Sequence, residues 1–392
     1  MSRLAALRAR LSSEVTPSAP TILSSLSASV GARPLSPALV DTFGRAHTYV
    51  RLSITERCNL RCSYCMPEDG VPLTSAQDLL TPTELIALAR TLVRLGVTKL
   101  RLTGGEPTVR KDIVDIVRAL SALRADGLRT LALTSNGVLL GADGGARLRA
   151  LRAAGLDALN LSLDTLDPLR FARLSRRPAA AHAAARAAVD LALGAGFGGR
   201  GSPPLKVNAV ILRGENDGEL PDLVTELTRT RPIALRVIEH MPFAGLEWSR
   251  DRVLTAADLT RALSTALPEW HAVEGDVDSA LGGTVGRQYR GGVGWAGTVG
   301  FVSTVSDAFC STCSRLRLTA DGALRACLHS ERETSLRDIL RAGGGDAGIE
   351  AAVAAAVQGK ARALGGATLA ERAKMLKEGG LDSGRGMVRI GG

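Results

Sequence analysis

The chain has 392 residues, 45% hydrophobic and 22% charged, enough to bury a sizeable core and to form two domains. No apolar run approaches the ~20 residues of a membrane span, and at 3% aromatic residues stacking platforms for nucleic acid are not evident. A net charge of +10 suggests anionic partners without choosing among them.

Residues 1–40 carry Arg3, Arg8, Arg10 and Arg33 against Glu14 alone, a net +3 in a Ser-, Ala- and Leu-rich background. Arginines spaced along an amphipathic start, with no apolar core for secretion, look like a mitochondrial transit peptide. Such a leader is set aside from the fold; a disordered extension of biased composition is the alternative.

The first strand is predicted over His47–Thr55, where Val50, Leu52 and Ile54 alternate with Tyr49, Arg51 and Ser53. Just past it stand Cys58, Cys62 and Cys65, spaced CxxxCxxC. Three thiolates this close can hold three irons of a [4Fe–4S] cube and leave the fourth open to a small molecule. A disulfide framework belongs in short secreted chains, and structural zinc normally takes four ligands.

Thr81-Pro82-Thr83-Glu84 opens a helix, with Thr81 as its cap and Pro82 at its first position. A strand over Lys99–Thr103 ends in Gly104-Gly105-Glu106-Pro107, where missing Cβ atoms would let a ligand approach the backbone. Strands then follow at Thr130–Ser135, Ala158–Leu163, Lys206–Leu212 and Ala234–Ile238. Between them lie helices near Lys111–Leu123, Ala146–Ala154 and Ala179–Leu193, with another at Glu219–Thr228. Six strand–helix units predict an α/β fold, a parallel partial (βα)6 barrel of TIM type, with its chemistry at the C-terminal ends of the strands. The cysteine loop falls at such an end.

Cys310 and Cys313 form a CxxC pair, and Cys327 follows after a stretch that reads as a β-hairpin turning at Ala320-Asp321-Gly322. The hairpin would fold Cys327 back beside the pair, again giving three thiolates. His329 leaves a Cys3His zinc site open as the alternative to a second cluster.

These two cysteine sets, with Phe43-Gly44-Arg45, Gly104–Pro107 and the terminal Gly391-Gly392, resemble the GTP 3′,8-cyclases, radical S-adenosylmethionine (SAM) enzymes that begin molybdenum cofactor synthesis. The resemblance runs from about Asp41 to the end. One departure is Arg236-Val237-Ile238-Glu239, where phenylalanine is expected in place of Val237; valine still fits a strand. The resemblance implies two [4Fe–4S] clusters, on Cys58, Cys62 and Cys65 and on Cys310, Cys313 and Cys327. It places SAM against Tyr64, Gly105, Ser162 and Met241. It places GTP against Arg51, Arg101, Thr134, Lys206, Arg236, Arg315, Leu316 and Arg317, where guanidinium forks suit phosphate oxygens. Arg317 would help the final reduction and protonation, and Gly391 and Gly392 would thread into the barrel and set the active site.

The implied reaction cleaves SAM, removes hydrogen from ribose C3′ of GTP and joins C3′ to guanine C8, giving 3′,8-cyclo-7,8-dihydro-GTP. The implied partners are cyclic pyranopterin monophosphate synthase downstream, a low-potential electron donor and a second copy in a homodimer, in the mitochondrial matrix. Membrane and nucleic acid are not expected partners. The implied division is a leader at 1–40, a radical SAM barrel at 41–245, and a C-terminal α+β region at 246–392. Two other readings remain open: a peptide-modifying radical SAM enzyme with an auxiliary cluster, and a non-enzymatic metal protein that binds nucleic acid.

Overall fold

The computed structural model describes residues 34–243, 246, 248–272, 288–306, 309–363, 368, 371, 374 and 386–390. Most of the expected leader and the terminal Gly391-Gly392 lie outside the described residues.

Six strands form at the predicted places: β1 Tyr49–Ser53, β2 Lys99–Thr103, β3 Thr130–Ser135, β4 Ala158–Ser162, β5 Leu205–Ile211 and β6 Ile233–Glu239. Each pairs in parallel with the next. The chain returns through α1 Pro82–Arg94, α2 Ile113–Ser121, α3 Val138–Ala142, α4 Ala146–Ala153, α5 Pro168–Ser175, α6 Ala180–Gly194 and α7 Leu220–Thr228. Helix α1 starts as its sequence demands: Thr81 Oγ1 accepts from Glu84 N, and the Glu84 side chain accepts from Thr81 N at 2.8 Å, a reciprocal cap.

The strands sort their residues by period two. Val50, Leu52, Leu100, Leu102, Leu131 and Leu133 are fully buried in the apolar core that the helices cover. The alternate positions, Tyr49, Arg51, Lys99, Arg101 and Thr134, carry the polar groups. Cutting one of the buried leucines, such as Leu102, to alanine would cost about 2–5 kcal/mol.

The C-terminal region extends the same sheet. Its elements are α8 Ala256–Ala266, β7 His271–Ala272, β8 Gln288–Arg290, β9 Thr298–Val302, β10 Arg315–Leu318, β11 Ala323–Arg325, β12 Thr334–Ser335, α9 Leu336–Arg341 and α10 Gly345–Gln358. The strand order is β12-β11-β10-β1-β2-β3-β4-β5-β6-β9-β8-β7. Strands β10 and β9 lie parallel to β1 and β6, at the two ends of the parallel run. Residues beyond 245 therefore supply both flanks of a sheet that residues 41–245 begin.

The expected leader boundary at residue 40 falls inside the fold. Leu39 is fully buried in the core, and Ser36 N donates to Leu95 O at 2.8 Å. Among the described residues no helix is long and apolar enough to cross a membrane.

Candidate active site

A cavity of about 290 Å³ is lined by all six cysteines; it reaches from the C-terminal ends of the strands, where Cys58, Cys62 and Cys65 follow β1, to the N-terminal end of β10, which Cys310 and Cys313 precede. The first three project from a loop that begins right after β1. Within that loop Cys65 N and Met66 N both donate to Cys62 O at 2.9 Å. Helix α5 clamps it from outside: Arg61 N and Ser63 N donate to Ser175 O and Leu174 O, each at 2.9 Å. Arg177 Nε adds a bond to Asn59 O at 3.0 Å. The clamp needs a sharp exit from α5, and Arg176 supplies it with φ 49°.

None of the six cysteines is in a disulfide, and all are half-buried. Burial pushes the Cys58 thiol up to about 11 and the Cys65 thiol up to about 12, and raises Cys62 too. Ligating sulfur must be thiolate, so metal binding at this loop releases protons. Three free thiols on one cavity wall fit a [4Fe–4S] cluster with three protein ligands. Among the described residues no group of three His, Cys, Asp or Glu side chains is gathered closely enough for a single metal ion.

The second set is assembled by the predicted hairpin. Cys313 N donates to Cys310 O at 3.2 Å, β10 leads away, and the chain turns at Thr319–Gly322 with Gly322 at φ +80°. Strand β11 then runs back in register, Arg317 opposite Arg325, and delivers Cys327 to the same wall. Burial raises the Cys313 thiol, but Lys360 and Arg315 outweigh it and bring it down to about 7. His329 also lines the cavity, its ring stacked on Phe243 with centroids 6.1 Å apart.

Between the two sets lies positive charge. Pairing of β1 with β10 puts Tyr49 opposite Arg315 and Arg51 opposite Arg317. Arg51, Arg315, Arg317 and Thr134 line the cavity. Burial, then Arg51 and Arg315, holds Arg317 well below its usual value. Such crowding favours an anion among the three. Arg101 is buried behind them, donating to Tyr49 Oη at 2.7 Å and Thr134 Oγ1 at 3.2 Å. Burial raises the Tyr49 phenol, but Arg101, Arg51 and Lys99 prevail and draw it well below 10.

Lys206 is also buried, in register between Asn160 and Ala234 and off the cavity lining. Arg236 reaches the lining through Asn208, whose Oδ1 accepts from its Nε at 3.0 Å. Leu316 differs from its neighbours. Its side chain is fully buried in the apolar core, on the other face of β10, and only its backbone is left for a ligand.

Tyr64, Gly105, Ser162 and Met241 all line the cavity. Tyr64 Oη donates to Asp164 Oδ2 at 2.6 Å, and burial lifts the Asp164 carboxyl to about 6. Gly104 and Gly105 have a reason for being glycine that the sequence did not reveal. A Cβ on Gly105 would stand 2.3 Å from Arg57 O, and one on Gly104 2.4 Å from Thr55 O. The missing Cβ atoms admit the backbone leading into the cysteine loop, bonded there through Gly105 N to Thr55 O at 2.8 Å.

The tail reaches the same chamber. Met387 lines it, Val388 and Ile390 are buried, and Arg317 donates to Ile390 O at 3.1 Å. Arg389 Nε meets Glu56 Oε1 at 3.0 Å, just ahead of Cys58. The roles expected of Gly391 and Gly392 lie outside the described residues.

Several supporting groups stand in the quoted motifs, but their partners carried no sequence signal. Glu106 accepts from Ser135 Oγ at 2.8 Å and Asn136 N at 2.7 Å, tying the ends of β2 and β3. Glu239 accepts from Ala256 N at 2.9 Å and Val305 N at 2.8 Å, tying α8 and the loop after β9 to the end of β6. Arg45, of the Phe-Gly-Arg motif, donates to Cys310 O at 2.7 Å and Ala361 O at 2.9 Å. A lone carboxylate or arginine in a sequence could not announce partners tens to hundreds of residues away.

Residues 52–227 match the radical SAM superfamily and residues 233–365 match the Molybdenum Cofactor Synthesis C family. Over 360 residues the chain is 42% identical to the mitochondrial GTP 3′,8-cyclase of Arabidopsis thaliana, covering 92% of this chain and 85% of the relative. The chain belongs to the GTP 3′,8-cyclase family. It is 42% identical to the GTP 3′,8-cyclase of a Mycobacterium species, covering 85% of this chain and 90% of the relative. It is 44% identical to molybdenum cofactor biosynthesis protein 1 of Bos taurus, but spans only 49% of that relative's length. Among solved structures, Streptococcus suis SuiB bound to S-adenosylmethionine aligns with TM-score 0.50 at 16% identity, over 75% of this chain and 65% of that one. That likeness concerns the fold alone. As a family member the chain carries a radical SAM domain, whose chemistry requires a [4Fe–4S] cluster and SAM.

Proposed function

We propose that this chain is a GTP 3′,8-cyclase that binds SAM at the Cys58–Cys65 side of the cavity and GTP between the two cysteine sets. When bound, the reduced [4Fe–4S] cluster supplies the electron that cleaves SAM. The protein's own work is to bind, orient and exclude water. Cys58, Cys62 and Cys65 hold the first cluster, and Cys310, Cys313 and Cys327 hold a second. Tyr64, Gly105, Ser162 and Met241 form the SAM wall. Arg51, Arg315 and Arg317 take the anionic GTP, with Arg101, Lys206 and Arg236 adding positive potential from behind and Thr134 a hydroxyl. The observation that carries this reading is the crowding of Arg51, Arg315 and Arg317 on one cavity wall between two cysteine sets.

Cyclic pyranopterin monophosphate synthase takes the product, a low-potential donor supplies electrons, and the enzyme works as a homodimer. The name of the Arabidopsis relative and the arginine-bearing leader support the mitochondrial matrix. The test is equilibrium binding to the anaerobic, cluster-loaded protein. GTP affinity should fall as salt rises, and Arg51→Ala should weaken GTP binding while sparing SAM. Equal weakening of both ligands would contradict the placement.

A further inference from the structure

Lys360 follows helix α10 and is buried beside the second cysteine set, outside the cavity lining. Its Nζ lies 2.7 Å from His47 Nε2, 3.1 Å from Arg315 O and 3.5 Å from Cys313 Sγ. An ammonium has three protons, and these are three acceptors.

His47 settles the direction of the first bond. The imidazole is fully buried, and its Nδ1 lies 2.9 Å from Arg45 O and 3.2 Å from Leu39 O. Carbonyl oxygens only accept, so Nδ1 carries the ring proton and Nε2 presents its lone pair to Lys360. Asp41 Oδ2, 3.7 Å from His47 Nε2, is engaged by Arg45 Nε at 2.6 Å. Burial lowers the Lys360 ammonium from its usual value, and the groups that oppose this and favour its charge are Cys313 first and Cys327 next.

We propose that Lys360, aimed by His47, is a positioning residue for the second cysteine set: it donates to Cys313 Sγ, fixes that ligand and raises the reduction potential of the cluster held there. This rests on the reading of Cys310, Cys313 and Cys327 as cluster ligands. Hydrogen bonds to ligating sulfur are one of the protein's means of setting cluster potential, and outer partners of metal ligands are typically worth about 10–100-fold in affinity. Lys360 is not among the cavity-lining residues, so it acts through Cys313 Sγ and the Arg315 backbone it bonds, and not through a substrate contact of its own.

The experiment uses the full chain, reconstituted anaerobically, with iron counting and a potentiometric titration followed by electron paramagnetic resonance. The unmodified protein should hold about eight irons as two cubes. In Lys360→Met the second cluster should titrate at a more negative potential or be lost about 10–100-fold more readily, while the first cluster stays unchanged. Lys360→Arg, which keeps a donor, should recover most of the shift. His47→Phe leaves the ammonium but removes the acceptor that aims it; it should shift the potential the same way by less, and it decides the matter if Lys360→Met fails to fold. Eight irons with an unmoved second potential in both variants would overturn the role of Lys360 and leave the cluster reading standing. About four irons in the unmodified protein, or stoichiometric zinc at Cys310, Cys313 and Cys327, would overturn the cluster reading itself.

Discussion

Removing one cation from the chamber should separate its two ligands. Arg315→Ala should weaken GTP binding about ten- to a hundredfold, the worth of one charge-assisted contact at about 1.5–3 kcal/mol, and Lys206→Ala, which acts from behind the lining, by less. SAM affinity should stay within twofold or so, because Tyr64, Ser162 and Met241 lie at or past the C-terminal ends of β1, β4 and β6, whereas Arg315 and Lys206 stand at the starts of β10 and β5. Calorimetric titration of both ligands checks this, and equal losses would move these cations to the wrong side of the cavity. Arg389 gives a second residue-level test. It joins the tail to Glu56 at 3.0 Å and Thr74 at 2.9 Å, beside the cysteine loop. Arg389→Ala should keep the iron content and methionine formation while cyclised product falls at least tenfold. Product yield tracking methionine one for one would show that the tail needs no such latch. The cysteines and the cavity arginines were legible in the sequence because their chemistry is rare and their spacing short. Lys360 and Arg389 were not, since each gains its meaning from a partner the chain brings back from far away.

Among the elements, the strand–helix alternation could be read because each unit repeats one pattern: a short apolar strand, a loop, an amphipathic helix. Strand β10 was foreseen as half of a hairpin, from Arg315 to the turn at Asp321-Gly322. Its parallel pairing with β1 was not, because nothing local marks a strand's neighbour across 260 residues of chain. Strand β9 shows the same limit at the other flank, against β6. Close packing between elements is equally silent in sequence. Helices α3 and α6 touch so tightly that a Cβ on Gly141 would stand 1.8 Å from Ala184 O. Gly141→Ala should therefore destabilise the fold by about 1–3 kcal/mol through overpacking. Its helix pair lies outside the sheet, so cluster content at low temperature should not change. A denaturant midpoint equal to that of the unmodified chain would mean that the helices can part at no cost.

For the whole molecule, two of the five histidines bear on acid stability. Burial lowers His240 to about 4, helped by Arg252, and burial with Lys360 lowers His47 to about 4 despite the opposing Asp41. A folded value below the unfolded one of about 6.5 means that the unfolded chain binds the extra proton. Stability from these groups is therefore complete above about pH 6.5 and drains away as pH falls toward 4. His240 alone accounts for about 3 kcal/mol of this. His240→Gln should flatten the fall in melting temperature between pH 7 and pH 5; an unchanged slope would show that His240 is solvated enough to titrate normally. At this scale the fold joins one sheet, two cysteine sets and a cationic wall into one chamber, and the claim that matters is what the chamber makes. The direct measurement is mass spectrometry of an anaerobic reaction of the cluster-loaded chain with GTP, SAM and a reductant. It should find 3′,8-cyclo-7,8-dihydro-GTP formed together with methionine and 5′-deoxyadenosine. SAM cleavage that leaves GTP intact would contradict it.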